Sequence, residues 1–159
     1  MNIFQVLLLG VVLVGGECCS HGFDDIGGHC LALHTEVAMP WEDARIYCQN
    51  STVPAALAKM TSGKTIRALY QYITEFEIKG SFWLGASDAE VEDDWVWLDM
   101  ERVNRGTPFW AIHSNIIGGW THEPSGGKKE NCLILDEQRL YYFNDESCLK
   151  LHHPLCQEL

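Results

Sequence analysis

Seven cysteines, at positions 18, 19, 30, 48, 132, 148 and 156, constrain this chain more than any other feature of its sequence. They follow an uncharged apolar segment, Met1 to Gly16, with its hydrophobic stretch over Val6 to Val14 and a small-residue cleavage signal at Val14-Gly15-Gly16. That order describes a signal peptide over residues 1–16 followed by a mature chain over 17–159, exported to an oxidising compartment where thiols pair. The apolar run is too short to span a bilayer comfortably, so a secreted, extracellular protein without membrane insertion is expected. Sequence alone permits many pairings, and an odd count leaves one thiol over. Asn50-Ser51-Thr52 is the only N-glycosylation sequon, and export gives it meaning.

At 159 residues without an internal repeat or a Pro/Ser-rich divide, the chain has the length of one domain. Its formal net charge of −11 argues against nucleic acid and anionic membranes as partners. Most of the carboxylates read as a solubilising surface; a subset is spaced for a hard cation.

Hydrophobic periodicity comes in two blocks. Trp41, Ala44, Arg45 and Cys48 fall on one helical face within Pro40 to Asn50, with Pro40 suited to the first turn. Ile66, Leu69, Tyr70 and Ile73 do the same between Ser62, a candidate cap, and Phe76. From Ser81 onward the pattern changes to short apolar and aromatic runs at 82–84, 95–98, 132–135, 140–143 and 155–157, which are strand candidates. Between Asp99 and Asn131 lies a long aperiodic stretch containing Phe109, Trp110 and Trp120. Those rings are costly to leave in water, which predicts an ordered loop packed on itself. Helices followed by an antiparallel sheet define an α+β class.

Several spaced elements now agree with one another. These are Cys19, Gly22, Phe23, Gly27 and Cys30 ahead of the first helix; Trp41, Ala44 and Cys48 within it; the run Phe82-Trp83-Leu84-Gly85; and Cys132, Cys148 and Cys156 toward the end of the chain. This set resembles the C-type lectin-like family in its long form, over essentially all of Cys19 to Gln157, and the likeness extends to the small soluble single-domain lectins of invertebrate body fluids. The resemblance implies two helices packed on small antiparallel sheets with a long ordered calcium-binding loop. It also implies the pairs Cys48 with Cys156, Cys132 with Cys148, and Cys19 with Cys30. Cys18 is then left over, either as an interchain bridge making a homo-oligomer, as a capped thiol, or as an alternative partner for Cys30.

The same resemblance implies a calcium site. Calcium takes six to eight oxygen ligands, and Glu123-Pro124-Ser125, Glu130 and Asn144-Asp145 supply oxygens in the family's order. In the family the peptide bond before the triplet's proline is cis, so a cis bond before Pro124 is implied. Two neighbouring sugar hydroxyls would complete the coordination, each donating to a carboxylate (Glu123, Glu130) and accepting from an amide (Asn144). Glu in the first triplet position resembles the mannose type, which recognises equatorial vicinal hydroxyls; Ser125 departs from the asparagine found third in that type and leaves a galactose-type preference open. Asp88, Glu92 and Asn131 match part of a second calcium set. Gly126 stands where an acid or amide is common in the family and Asn131 replaces an acid, so a weak or absent second ion is expected, with solvated surface acids over Asp88 to Asp94 as the plain reading.

The extra sequence Ala111 to Gly119 is expected beside the sugar site, where Ile117, Trp120 or His122 either contacts a second sugar or packs, packing being preferred. Glu123 and Glu130 could be read as a glycosidase acid/base pair; their place on a calcium loop beside Asn144-Asp145 points to shared metal ligation, and no catalytic residue is expected. His152-His153 lacks a metal-ligand spacing and reads as surface. The function implied is a secreted calcium-dependent lectin that recognises microbial glycans in innate immunity, by agglutination or opsonisation, with a lectin-like protein binder as the alternative.

Overall fold

The structure is a computed structural model that describes residues 19–106, 108–114 and 117–159. The apolar leader over 1–16 and Cys18 lie outside the described residues.

The α+β class holds. An N-terminal hairpin, β1 (Asp24–Asp25) and β2 (Cys30–Leu33), precedes helix α1 (Trp41–Gln49), strand β3 (Ala55–Leu57) and helix α2 (Gly63–Glu75). The remainder comprises β4 (Phe82–Ser87), β5 (Val96–Trp97), a hairpin of β6 (Ile112–Ser114) and β7 (Trp120–His122), then β8 (Cys132–Asp136), β9 (Tyr142–Glu146) and β10 (His153–Glu158). The main sheet runs β1-β2-β10-β4-β8-β9, with β3 added to β10 and β5 to β4; β6 and β7 form a separate pair. Sequence patterning predicted an antiparallel sheet throughout. Instead β10 meets β4 in parallel, His153 opposite Phe82 and Pro154 opposite Trp83.

Strand β4 explains the run Phe82-Trp83-Leu84-Gly85. Phe82 and Leu84 enter a core with Leu69 and Ile73 of α2, whereas Trp83 enters a second core with Ala44 and Cys48 of α1. Residues alternate across a strand, so a strand covered on both faces reads as a continuous apolar run. Trp83 is wholly buried and its indole donates to the Met39 carbonyl at 2.7 Å; Trp41 likewise donates to Leu84 O at 2.8 Å. Gly85 allows β3 to approach: a Cβ there would lie 2.6 Å from the Leu57 carbonyl oxygen.

Both helices form as the periodicity predicts. Glu42 and Asp43 occupy the first turn of α1, where carboxylates favour the dipole. Ser62 stands at the N-cap of α2, yet its side chain makes no capping bond, so the hydrophobic face fixes that helix more than its cap. Asn50 ends α1 in an exposed position. Disulfides join Cys19 to Cys30, Cys48 to Cys156 and Cys132 to Cys148. The second ties α1 to the last strand across 108 residues of chain, a closure that stabilises by roughly 4–5 kcal/mol in the chain-entropy account. Among the described residues no helix is long and apolar enough to cross a membrane.

Two strand assignments shift. Leu140 and Tyr141, expected in a strand, adopt left-handed backbone (φ 55° and 59°) and turn the chain between β8 and β9. The Tyr141 amide closes that turn on Asp136 O at 2.7 Å, and pairing resumes at Tyr142 opposite Asp136. Trp95, in turn, precedes β5 and is buried against Trp110.

Replacing Gly85 with alanine is expected to cost about 1–3 kcal/mol, because the nearest atom the new methyl meets is the backbone Leu57 carbonyl oxygen, with Leu98 Cδ1 beside it. Urea unfolding at neutral pH measures it; an unchanged midpoint would show that β3 can retreat freely.

Candidate functional site

The candidate site lies where the long loop meets β9, and aromatic packing puts it there. Trp110 stacks edge-on against Trp95 (centroids 5.4 Å) and against Phe143 (5.7 Å). Three backbone bonds follow from that docking: Phe143 N to Phe109 O at 2.7 Å, Ala111 N to Phe143 O at 2.8 Å, and Glu123 N to Ala111 O at 3.0 Å. Glu123 is thereby held beside β9. The Glu123-Pro124 peptide is cis, as the resemblance implied.

On β9 the side chains alternate. Asn144 and Glu146 stand opposite Ile134 and Cys132 of β8, and Asn144, Glu146, Ile134 and Asp136 line one cavity of about 370 Å³. Glu123, Ser125 and Glu130 from the loop line it as well. Asp145, next along the strand, serves differently: its carboxylate accepts from the backbone amides of Ser125 (3.0 Å) and Gly126 (2.6 Å). It clamps the triplet onto β9 and does not line the cavity. Gly126 is required by Glu130, since a Cβ at 126 would run into Glu130 Cβ.

The cavity is rich in carboxylates kept from water. Glu123, Asp136 and Glu146 are all buried, and burial pushes the Glu123 carboxyl up; the Ser125 hydroxyl counters this, and neighbouring Asp145 adds to it. Burial raises Glu130 too, followed by the charges of Glu146 and Asp145. Raised carboxyls of this kind are strained in their charged form and favour a nearby cation. Arg139 supplies one: its guanidinium lies 3.4 Å from Glu123 Oε1 and also pairs with Asp136. His113 Nδ1 stands 3.1 Å from the same Glu123 oxygen, in a geometry too poor for a hydrogen bond. Lys150 pairs with Glu146 at 2.9 Å.

The donor set suits a hard cation. Glu123 Oε2 is buried and has no hydrogen-bond partner, and the other oxygens offered are carboxylate, amide and hydroxyl, without a thiolate. Among the described residues, however, no three His, Cys, Asp or Glu side chains are drawn together as a ready-made metal cluster; cationic side chains stand between the carboxylates. Of the expected calcium ligands, Glu123, Ser125, Glu130 and Asn144 line the cavity and would hold the ion, whereas Asp145 is turned to the backbone amides of Ser125 and Gly126.

Asp88, Glu92 and Asn131 form a second group. The expectation of solvated acids fails for Asp88, which is only 4% exposed, bonds its amide to Asn131 O and accepts from Asp93 N at 3.0 Å. Its Oδ1 and Asn131 Oδ1 are both buried without a partner. Burial raises the Asp88 carboxyl, and the charges of Glu92 and Asp145 push it further.

The extra loop is the β6–β7 hairpin, of which Asn115 and Ile116 lie outside the described residues. Packing was expected for Ile117 and Trp120, and neither packs: they are 93% and 73% exposed. Trp120 pairs with Ser114 on the hairpin face opposite His113, so it points away from the cavity that His113 lines. His152 and His153 are not surface groups. His152 packs edge-on against Trp83 at 4.8 Å, where burial lowers its pKa, and His153 contacts Val37 O at 2.6 Å. Asp136, Arg139, Glu146 and His113 are the site residues that sequence reasoning missed. The i,i+3 pair Asp136 and Arg139 in the polar link between two strand candidates was the available signal.

A family model for the "Lectin C-type domain" matches residues 37–158. The chain belongs to the C-type lectin domain family. It is similar to a C-type lectin mannose-binding isoform of Notechis scutatus scutatus, 26% identical over 144 residues that cover 88% of this chain and 83% of that protein. In fold it is similar to C-type lectin CEL-I from Cucumaria echinata, with a TM-score of 0.67 at 19% identity, covering 87% of this chain and 96% of that one. It is also similar to a calcium-independent type II antifreeze protein, with a TM-score of 0.65 at 20% identity and coverage of 89% and 94%. Membership therefore fixes this C-type lectin domain's architecture, and its own side chains must decide the ligand.

Asp145→Asn turns one of the two carboxylate oxygens into an amide NH2, so one of the two backbone amides bonded there loses its acceptor. One of the Ser125 and Gly126 amides is expected to exchange with solvent about 5–30-fold faster, as for a loss of about 1–2 kcal/mol, with core amides of β4 unchanged. Hydrogen exchange followed by mass spectrometry or NMR checks it.

Proposed function

We propose that this chain is a secreted, calcium-dependent carbohydrate-binding lectin that prefers sugars with equatorial vicinal hydroxyls, as in mannose, and that acts in pattern recognition on microbial glycans. The observation that carries the reading is the cavity where Glu123, Ser125, Glu130 and Asn144 converge, with a buried Glu123 oxygen left without a partner. Membership of the C-type lectin domain family supports carbohydrate binding; the calcium step and the sugar preference are argued from these residues.

Calcium, when bound, supplies open coordination positions that two neighbouring hydroxyls can fill. The chain's own groups do the rest. Glu123 and Glu130 accept hydrogens from those hydroxyls, and the Asn144 amide donates to their lone pairs. The acid in the first triplet position and the amide on β9 set the direction of each bond. Ser125, with a shorter reach than asparagine, gives the second hydroxyl a weaker hold. Asp145 fixes the triplet through its two backbone bonds. This is recognition, with no covalent step and no catalytic residue.

Asp88, Glu92 and Asn131 are proposed as a second, weaker cation position, supported by the orphaned oxygens of Asp88 and Asn131. One shallow sugar site binds weakly, so agglutination or opsonisation requires several copies acting together. Cys18 is proposed to link them, and the exposed Asn50 to carry a glycan.

A glycan array run in calcium and in chelator tests the main reading. Mannose-type binding is expected in calcium, lost in chelator and lost in Glu123→Gln. Ser125→Asn should strengthen it by about tenfold, the worth of one good hydrogen bond. Binding insensitive to calcium would sink the mechanism. Calcium stoichiometry, measured by calorimetry, is expected to fall by one in Asp88→Asn.

A further inference from the structure

We infer that Arg139 is a resident counter-ion of the calcium site and competes with calcium for Glu123, setting how much calcium the site requires; the inference rests on the calcium reading above.

Arg139 ends a short 3-10 turn (Glu137–Arg139) between β8 and β9. Two features hold it facing the loop. Asp136, at the head of the turn, accepts from the Gln138 amide at 2.9 Å and pairs with the guanidinium through its other oxygen. That second oxygen also receives the Asn144 amide at 3.4 Å. Left-handed Leu140 and Tyr141 then reverse the chain, closed by the bond from Tyr141 N to Asp136 O. The guanidinium is thus braced on one side and reaches Glu123 Oε1 with its remaining face. Only 28% of the Arg139 side chain is exposed and 2% of the Glu123 side chain, so water screens this pair poorly.

Of the cations that line the cavity among the described residues, Arg139 is the one whose charge is both permanent and applied to Glu123. Lys150 is 60% exposed and serves Glu146, and His113 is charged only when protonated. A guanidinium does not lose its proton in proteins. Calcium at Glu123 would therefore sit close to a fixed positive charge and would divide one carboxylate with it, which weakens its binding. Without calcium the same guanidinium offsets part of the charge of Glu123 and Asp136, so the fold depends less on the metal to keep these buried carboxylates tolerable. The vacant hydrogen-bonding capacity at Glu123 Oε2 is what remains for an incoming ion.

Calcium calorimetry on the full mature chain, with wild type, Arg139→Gln, Arg139→Lys and Glu123→Gln, tests this, alongside thermal unfolding in chelator and in saturating calcium. The binding event that Glu123→Gln abolishes is expected to tighten about tenfold or more in Arg139→Gln. Arg139→Lys keeps a cation, and with it the fold, and should fall between the two. The Tm of Arg139→Gln should drop in chelator and recover in calcium. Equal calcium affinity in wild type and both Arg139 variants, with Tm lowered alike in both buffers, would overturn the inference and leave the calcium reading standing. Absence of calcium binding in all four proteins would overturn both. Binding in Arg139→Gln with none in wild type would support the competition and overturn the calcium-dependent reading of the native chain.

Discussion

Everything in this molecule is arranged around burial of β4 on both faces. Phe82 and Leu84 face α2 while Trp83 faces α1, and each ring or chain buried this way contributes roughly 1.5–3 kcal/mol. A strand with two covered faces needs its polar groups satisfied from within, and the two indole bonds, from Trp83 to Met39 O and from Trp41 to Leu84 O, do part of that. Gly85 then lets β3 close over the strand. The sheet grows outward from β4, through β10 on one side and β8 on the other, so that β9 ends up as the edge on which the site is built.

An edge strand bearing Asn144, Asp145 and Glu146 would gain little from exposing those groups to water alone. The loop carrying Glu123 and Glu130 is brought against it by an apolar anchor: Trp110 between Trp95 and Phe143, each aromatic pair contributing about 0.5–1.5 kcal/mol beyond area. That anchor offsets the cost of gathering carboxylates. Asp145, Arg139 and Lys150 complete the accommodation, one by accepting backbone amides and two by countering charge. The site is thus a compromise in which hydrophobic packing holds like charges around one cavity with cationic side chains among them.

Sequence made much of this legible for a physical reason. Amphipathic helices announce themselves by period, and Ala44, Cys48, Leu69 and Ile73 fall inward as read. A doubly buried strand announces itself by an unbroken apolar run, as 82–84 does. Cysteine pairing came from resemblance, because spacing alone left it open. The short strands β3, β6 and β7 escaped, since three residues carry no period. Trp120 misled because an aromatic residue predicts burial only on average. Leu140 and Tyr141 misled because apolar side chains mask a left-handed turn that glycine or asparagine would have advertised. At the site, the loop triplet and the β9 pair were readable as ligand types, whereas Arg139 was not, because a cation in the polar link ahead of β9 reveals nothing about Glu123 until the turn folds it back.

That last failure carries a general point about charge. Ligand motifs name the groups that would hold a cation, but affinity depends equally on which positive charges already stand among them. Two chains with the same oxygens can differ widely if one lends its carboxylates to a guanidinium that only the fold brings near. In this domain the distance from Arg139 to Glu123 is set by Asp136 and by two left-handed residues, none of which belongs to the motif. The hairpin turn between β8 and β9, although it supplies no expected ligand, therefore shapes the charge of the cavity as fully as the triplet it faces.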